Sequence, residues 1–248
     1  MALYIKSSVE VEGIRQAGKI VAELLRLLKN QVGPGMSLKE LEDFCADFIR
    51  QTGGVPTFLG YRGFPAAVCI SVNEEVVHGI PDKRVLSEGD IVKVDVGVTK
   101  GGFIADAART YQVGSVSAEV TRLVEKTEEA FYEGLKFARL GYRVGNISAA
   151  IQRFVEGQGY SVVRELHGHG VGIELHEEPT VPNFGSPGKG RRLMKGMTIA
   201  IEPMVNMGAP NVKTLPNGWT VVAVDGKPSA HYENTVLITD GEPEVLTV

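Results

Sequence analysis

The strongest constraint on this chain is an internal repeat that ends, both times, in an acid. Leu86-Ser87-Glu88-Gly89-Asp90-Ile91-Val92-Lys93-Val94-Asp95 and Leu193-Met194-Lys195-Gly196-Met197-Thr198-Ile199-Ala200-Ile201-Glu202 lie 107 residues apart and are built alike. In each, a Leu-x-x-Gly turn leads into an apolar, strand-like run, and the carboxylate comes six residues past the glycine. His78-Gly79 and His169-Gly170 lie upstream of the two runs, and a second acid, Asp106 or Glu233, lies downstream. A duplicated half that brings two acids each time predicts a site where the halves meet. Four carboxylates gathered there would repel one another strongly enough to require cations.

The rest of the composition narrows the setting. A length of 248 residues suits one large sheet-based fold, and 43% hydrophobic with 23% charged residues is the balance of a soluble protein with a sizeable core. Net charge is −4 and the basic residues are dispersed, so no footprint for sequence-specific nucleic-acid binding is expected. The first residues, Met1 to Ser8, carry no apolar stretch of the secretory type and Glu10 and Glu12 follow closely. No run approaches the roughly 18 apolar residues of a membrane span, so a cytoplasmic location without membrane attachment is expected. Two cysteines, Cys45 and Cys69, argue against a disulfide framework or a cysteine zinc site.

Periodicity predicts a helix over 11–31, from Ile14, Ala17, Gly18, Val21, Leu24, Leu25 and Leu28. A second helix is expected to start at Ser37, where Glu40 completes a capping box, and to stop at Gly53-Gly54. Strands are expected over 66–72, 91–98 and 103–113. The second half repeats the order: a helix over 118–140 broken at Gly141, a shorter one capped by Asn146 and ending near 157–159, then strands near 161–166, 198–205, 219–224 and 231–239. Two surface loops are expected, 182–192 and 208–218. The pattern predicts an α+β layer fold in a single domain, 1–248, with two pseudo-symmetric halves over about 11–113 and 118–248.

Asp95 and Asp106, 11 residues apart, flank the turn 100–102. A two-residue turn centred on Lys100-Gly101 would set them directly opposite, whereas a three-residue turn would need a bulge. Pro203, just after Glu202, marks a strand end or bulge. Glu233 lies in a strand-like run, where an inward charge is costly without a cation. His167, His169 and His176 cluster, and the glycines around His169 are expected to let backbone approach a ligand. These donors suit a pair of divalent ions that could activate a water and polarise a carbonyl. The oxygen-rich set favours Mn, Fe or Co and leaves zinc open. Each residue has a plainer reading: Asp95 closing a turn, Asp106 paired with Arg109, Glu233 on an exposed edge, His78 in a loop, His231 structural or at the surface. Their recurrence at matching places in two repeats is what argues for metal.

Several motifs span nearly the whole chain: Val68-Cys69-Ile70-Ser71-Val72-Asn73-Glu74 leading to His78-Gly79-Ile80-Pro81, the run from Asp90 to Gly97, and Gly168-His169-Gly170-Val171-Gly172. His176-Glu177-Glu178-Pro179 and Ile201-Glu202-Pro203-Met204 complete the set with the acids Asp106 and Glu233. With these, the sequence resembles the type I methionine aminopeptidases of the pita-bread fold, in which two halves of helices and strands surround a curved antiparallel sheet. The resemblance implies an enzyme that hydrolyses the first peptide bond and removes N-terminal methionine from nascent proteins and peptides, preferentially before a small second residue. It implies that Asp95, Asp106, His169, Glu202 and Glu233 bind two divalent ions (Co, Mn, Fe or Zn), with Asp106 and Glu233 shared between them. Glu202 would also accept a proton from the attacking water, His176 would contact the scissile carbonyl, and His78 would hold the substrate backbone and the tetrahedral intermediate.

By motif position, Tyr61, Phe64, Cys69 and Trp219 should line the methionine pocket. Phe58 stands where a small cysteine often occurs and Leu175 where an aromatic often occurs, an exchange of bulk that conserves volume. No base is linked to Cys69, so a reactive thiol is not expected. The resemblance also implies a monomer, with transient ribosome contact through the basic residues of 185–192 and the first helices. Proline-directed relatives carry a further N-terminal domain, for which a first helix near Val11 leaves no space. Type II relatives carry a helical insert, for which the 31 residues between Glu202 and Glu233 leave no room. A non-catalytic member would have lost ligands, and none is missing.

Overall fold

Each helix of the first half starts where a serine and a glutamate three residues on satisfy each other's backbone. Ser7 and Glu10 form a capping box that opens α1 (Ser8–Gln31), and Ser37 with Glu40 does the same for α2 (Leu38–Gln51). The first box begins α1 ahead of the apolar stripe from which the helix was expected. In the second half, α3 (Ala118–Leu135) ends short of 140. Asn146 does not cap α4 (Val144–Gly157) as expected. Arg143 is the capping position, in extended backbone, and Asn146 reaches back so that its Oδ1 accepts from Arg143 N at 3.1 Å and from Gly188 N at 3.2 Å.

The computed structural model describes residues 2–248. Its strands are β1 (Val55–Pro56), β2 (Cys69–Val72), β3 (Glu75–Val77), β4 (Ile91–Lys100), β5 (Phe103–Gln112), β6 (Ser161–Val162), β7 (His167–Gly170) and β8 (Glu177–Pro182). There follow β9 (Thr198–Ile201), β10 (Met204–Asn206), β11 (Val212–Thr214), β12 (Val221–Ala223), β13 (Ser229–His231), β14 (Asn234–Leu237) and β15 (Glu244–Val245). All the ladders are antiparallel: β1 and β2 share one edge of β4 with β5 on the other, and β15-β14-β9-β7-β8, β13-β10-β6 and β11-β12-β3 form three further sheets. β11 lies inside 208–218, which was expected to be loop throughout. Among the described residues no helix is long and apolar enough to cross a membrane.

The long hairpin β4–β5 turns on Gly101 and Gly102, whose φ values of +58° and +87° suit a two-residue turn of the glycine-requiring kind. The turn therefore lies one residue later than the centre at Lys100-Gly101. Asp95 pairs with Ala108 and Asp106 with Gly97, so the two acids are offset by one pleat rather than directly opposite. They still share a face, because side chains alternate with period two. On the other face, Val92, Val94, Val96 and Val98 pack with the apolar stripe of α1 and with Leu41, Cys45 and Ile49 of α2. A second core joins Leu123 and Phe131 of α3 and Ile147 and Ile151 of α4 to Ile199, Ile201, Val205 and Val236.

The runs 198–205 and 231–239 are each broken in two, the first at the proline expected to end or bulge the strand, the second in a run expected to be continuous. The first breaks at Glu202-Pro203 and the second at Tyr232-Glu233. Because β9 pairs with β14 and β10 with β13, the two breaks lie side by side, and Tyr232 N donates to Pro203 O across them at 3.2 Å. Proline supplies no N–H, so the ladder cannot run through. The seam with the first half lies alongside. Glu233 N donates to Ala108 O at 3.0 Å, and Thr235 Oγ1 accepts from Asp106 N at 3.0 Å and donates to Asp106 O at 2.9 Å.

Residues 2–6 strap the start of β8. Ala2 O accepts from Glu178 N at 2.8 Å, and the Lys6 ammonium pairs with the Glu177 carboxylate, both side chains being buried. The other oxygen of Glu177 accepts from Ile173 N at 2.7 Å and Glu174 N at 3.0 Å. Removing one partner of a buried ion pair strands the other charge. Lys6→Ala should therefore cost about 3–5 kcal/mol in urea unfolding, and Lys6→Ala with Glu177→Gln should recover part of the loss. A change of a few tenths would show that the pair is not holding this segment.

Candidate active site

Two acids reach the seam from the hairpin, Asp95 from β4 and Asp106 from β5. Two more, Glu202 and Glu233, stand at the paired strand breaks. Asp106 and Glu233 are buried, while Asp95 and Glu202 are partly open to a cleft. Arg109 does not pair with Asp106. Its guanidinium donates to Glu233 O at 2.6 Å and Asn234 Oδ1 at 2.7 Å, and it lies over the Tyr232 ring. Glu233, far from an exposed edge, is 2% exposed.

His169 arrives on β7 between two glycines. A Cβ on Gly168 would lie 2.3 Å from Ala200 O, and one on Gly170 would lie 2.3 Å from Glu178 O. The glycines thus let β7 press against β9 and β8. The close approach expected from them is to neighbouring backbone, not to a ligand. His169 Nδ1 lies 3.0 Å from Gly170 O. With Nδ1–H donating there, the Nε2 lone pair faces Glu202 Oε1 at 3.5 Å and Asp106 Oδ2 at 3.9 Å, the tautomer that a metal-binding imidazole needs.

This donor set fits divalent cations. Asp106, His169 and Glu233 each offer an atom within 4.8 Å of the others, and so do Asp95, His231 and Glu233. Asp95 Oδ1, Asp106 Oδ1 and Glu233 Oε1 are buried without hydrogen-bond partners. Burial, and after it the neighbouring carboxylates, hold Asp106, Glu202 and Glu233 well above the usual carboxylate range, and burial raises Asp95 as well. A divalent ion among them would offset both penalties.

His231 is a residue whose place the sequence reading missed. It is neither at the surface nor absorbed in a hydrogen-bond network. It is 1% exposed, and its Nε2 lies 3.8 Å from Glu202 Oε2 and 3.8 Å from Glu233 Oε2. No local signal gave this place, because 231 and 233 flank the break at Tyr232-Glu233 and do not lie on one continuous strand.

The remaining histidines frame the approach. His176 Nδ1 lies 2.8 Å from the Tyr61 hydroxyl, with the rings stacked at 5.3 Å. Its ring centroid is 4.2 Å from that of His169. His78 sits at φ +58°, a strained conformation for a non-glycine residue. Gly79 beside it has no space for a side chain, since a Cβ would lie 2.1 Å from Ile70 O. Burial lowers the histidines: His78 in direction, His169 to about 4, and His176 and His231 to about 3.

A cleft of about 350 Å³ opens onto these groups. Every site residue named from the sequence lines it: His78, Asp95, Asp106, His169, His176, Glu202, Glu233, Phe58, Tyr61, Phe64, Cys69, Leu175 and Trp219. Phe58, Phe64, Cys69 and Leu175 form one apolar cluster with Tyr61 and Trp219 against it. Phe64 and Trp219 meet edge to face at 5.1 Å. Phe58 fits only because residue 97 is glycine, where a Cβ would stand 2.5 Å from the ring. Burial pushes the Cys69 thiol up, away from reactivity. Arg62, Glu165, Leu166, Val77 and Met204 also line the cleft without having been singled out as site residues, and so does His167, noted only as part of the histidine cluster.

Residues 12–240 match metallopeptidase family M24. A methionine aminopeptidase of Clostridium perfringens is 52% identical over 246 residues, covering 99% of both chains. The crystal structure of a methionine aminopeptidase from Thermotoga maritima superposes with a TM-score of 0.97 at 46% identity, again over 99% of each chain. A prolidase from Pyrococcus furiosus shares the fold, with a TM-score of 0.81 at 23% identity, and this chain spans 65% of its length.

The raised carboxylates have a pH signature. Above about pH 7.5 the buried histidines His78, His169, His176 and His231 are neutral in folded and unfolded chains alike. There the unfolded chain has lost its carboxyl protons while the metal-free folded chain retains some, so stability falls as pH rises. Lys6 and Lys93, both lowered by burial, act in the opposite sense. The clean readout is therefore the gain in Tm when Mn(II) is added to chelator-treated protein. That gain should grow between about pH 7.5 and about pH 8.5. A gain that is constant or shrinks would show that the acids hold no charge for the ion to relieve.

Proposed function

The chain belongs to metallopeptidase family M24, with full-length relatives that are methionine aminopeptidases, and we propose that it removes N-terminal methionine by hydrolysing the first peptide bond, preferring a small second residue. The observation that carries this reading is the meeting of Asp95, Asp106, His169, Glu202 and Glu233 with an apolar pocket in one cleft.

Asp95, Asp106, His169, Glu202 and Glu233 would hold two divalent ions, Asp106 and Glu233 being shared; Mn, Fe, Co and Zn all suit these donors. Bound there, such ions supply Lewis-acid polarisation of a carbonyl and easier ionisation of a water. The methionine side chain enters among Phe58, Phe64, Cys69, Leu175 and Trp219, where burial contributes about 1.5–3 kcal/mol. Glu202, at the strand break beside the cleft, accepts a proton from the attacking water. With the Tyr61 hydroxyl donating to Nδ1, His176 keeps its proton on Nε2. It can then donate to the carbonyl oxygen as charge builds there. Tyr61, expected only as a pocket wall, so acquires a second task. His78, fixed by its φ and by the glycine after it, holds the substrate backbone.

The catalytic unit is read as one domain over 1–248 with two related halves, acting as a monomer in the cytoplasm on nascent chains. Exposed Lys189, Arg191 and Arg192 on the 185–192 loop support transient contact with ribosomal RNA.

Release of methionine from Met-Ala-Ser but not Met-Lys-Ser, abolished by EDTA and restored by Mn, Fe or Co, is the expected result. No release with any metal, despite bound ions, would favour a proline-directed or non-catalytic reading. His176→Ala should leave metal content intact and lower turnover on the order of 10²–10³-fold; near-normal turnover would remove His176 from the chemistry. Asp106→Asn should lose metal and activity together, and retention of both ions would refute its ligand role.

A further inference from the structure

Every polar group that faces the carboxylate cluster has a task in the reading above except His231. Its imidazole is 1% exposed, and neither ring nitrogen has a hydrogen-bond partner. Leaving such a group buried and unpaired is costly. Its place is not loose: Thr110 Oγ1 donates to His231 O at 2.8 Å and accepts from His231 N at 3.0 Å. Met204 pairs with it across the ladder, beside the break that carries Glu202.

The Glu202 carboxylate stands between two imidazoles. His169 Nε2 lies 3.5 Å from its Oε1, and His231 Nε2 lies 3.8 Å from its Oε2. His231 Nε2 lies equally far, 3.8 Å, from Glu233 Oε2. Ionised carboxylates only accept hydrogen bonds. A lone pair aimed between two of them would be repelled, whereas an N–H there satisfies either oxygen after a shift of about 0.6–0.8 Å.

We propose that His231 is a positioning residue whose Nε2–H fixes the second oxygen of Glu202, turning the other oxygen toward His169 and the ion site, with Glu233 steadied by the same donor. This rests on the reading of these carboxylates as metal ligands. The alternative, in which His231 is itself a nitrogen ligand beside Asp95 and Glu233, is an outcome of the test.

The test is Mn(II) affinity of the chelator-treated full chain, measured by titration calorimetry, with unfolding of each metal-free variant as a folding control. A glutamine amide nitrogen reaches the place of Nε2, and an asparagine amide reaches only the place of Nδ1. His231→Gln should bind Mn(II) within about threefold of the parent, while His231→Asn and His231→Leu should weaken it by about 10–100-fold, the usual cost of losing a group that orients a metal ligand. Should the leucine variant fail to fold, the Gln/Asn contrast decides. Equal binding by the parent and His231→Asn would overturn the proposal and leave His231 as a core filler. Equal weakening by Gln and Asn would overturn it in favour of direct ligation. A parent chain that binds no Mn(II) would remove the metal reading, and this proposal with it.

Discussion

Carboxylates brought together out of water repel one another and pay for their own desolvation, and this structure gathers four of them at the seam of its two halves. Any arrangement that does so must also supply compensation. The backbone offers little: several carboxylate oxygens in the cluster accept nothing. Arg109, the nearest candidate counter-charge, is spent on the Glu233 carbonyl and Asn234 instead. Without cations these acids keep protons instead, and divalent ions are the compensation that fits the metallopeptidase family to which the chain belongs.

The two ways of delivering an acid to the seam differ in mechanics. Asp95 and Asp106 ride on an unbroken ten-residue hairpin, stiffened from behind by α1 and α2. Glu202 and Glu233 stand where paired strands break together, at a proline. A continuous ladder alternates its side chains rigidly, while a break frees a carboxylate to point across the seam. Backbone bonds between Ala108 and Glu233 and the Thr235–Asp106 pair tie the two systems to a common frame. Donors from distant parts of the chain are thereby held together by short, directional contacts.

Around this polar corner the cleft is apolar, and the histidines mark the boundary. Burial favours the neutral imidazole at His169, His176 and His231, so each has one donor and one acceptor to place. For His169 the Gly170 carbonyl settles which nitrogen faces the acids. For His176 the partner is Tyr61, which links the pocket wall to the imidazole packed beside His169. Phe58 is accommodated by the absence of a side chain at Gly97, so pocket shape depends on a residue of the strand that also bears Asp95.

The sequence by itself determined the acids, the start of α2 at Ser37 and the repeated order of helices and strands. Repeats, capping boxes and apolar stripes are local patterns that any later packing must respect. It could not determine that the β4–β5 turn closes on Gly101-Gly102, because Lys-Gly and Gly-Gly are both competent turn pairs and only the full ladder selects a register. Nor could it tell that the runs through Glu202 and Glu233 break in concert, since each break is stabilised by the other. The glycines beside His169 were legible as close contacts, but the partner, neighbouring strands rather than a ligand, was not. His231 was written off as structural or at the surface because a lone histidine carries no address. Its neighbours, Glu202 and Glu233, become neighbours only when two strands from one half bend together, and that is a decision of the tertiary structure alone.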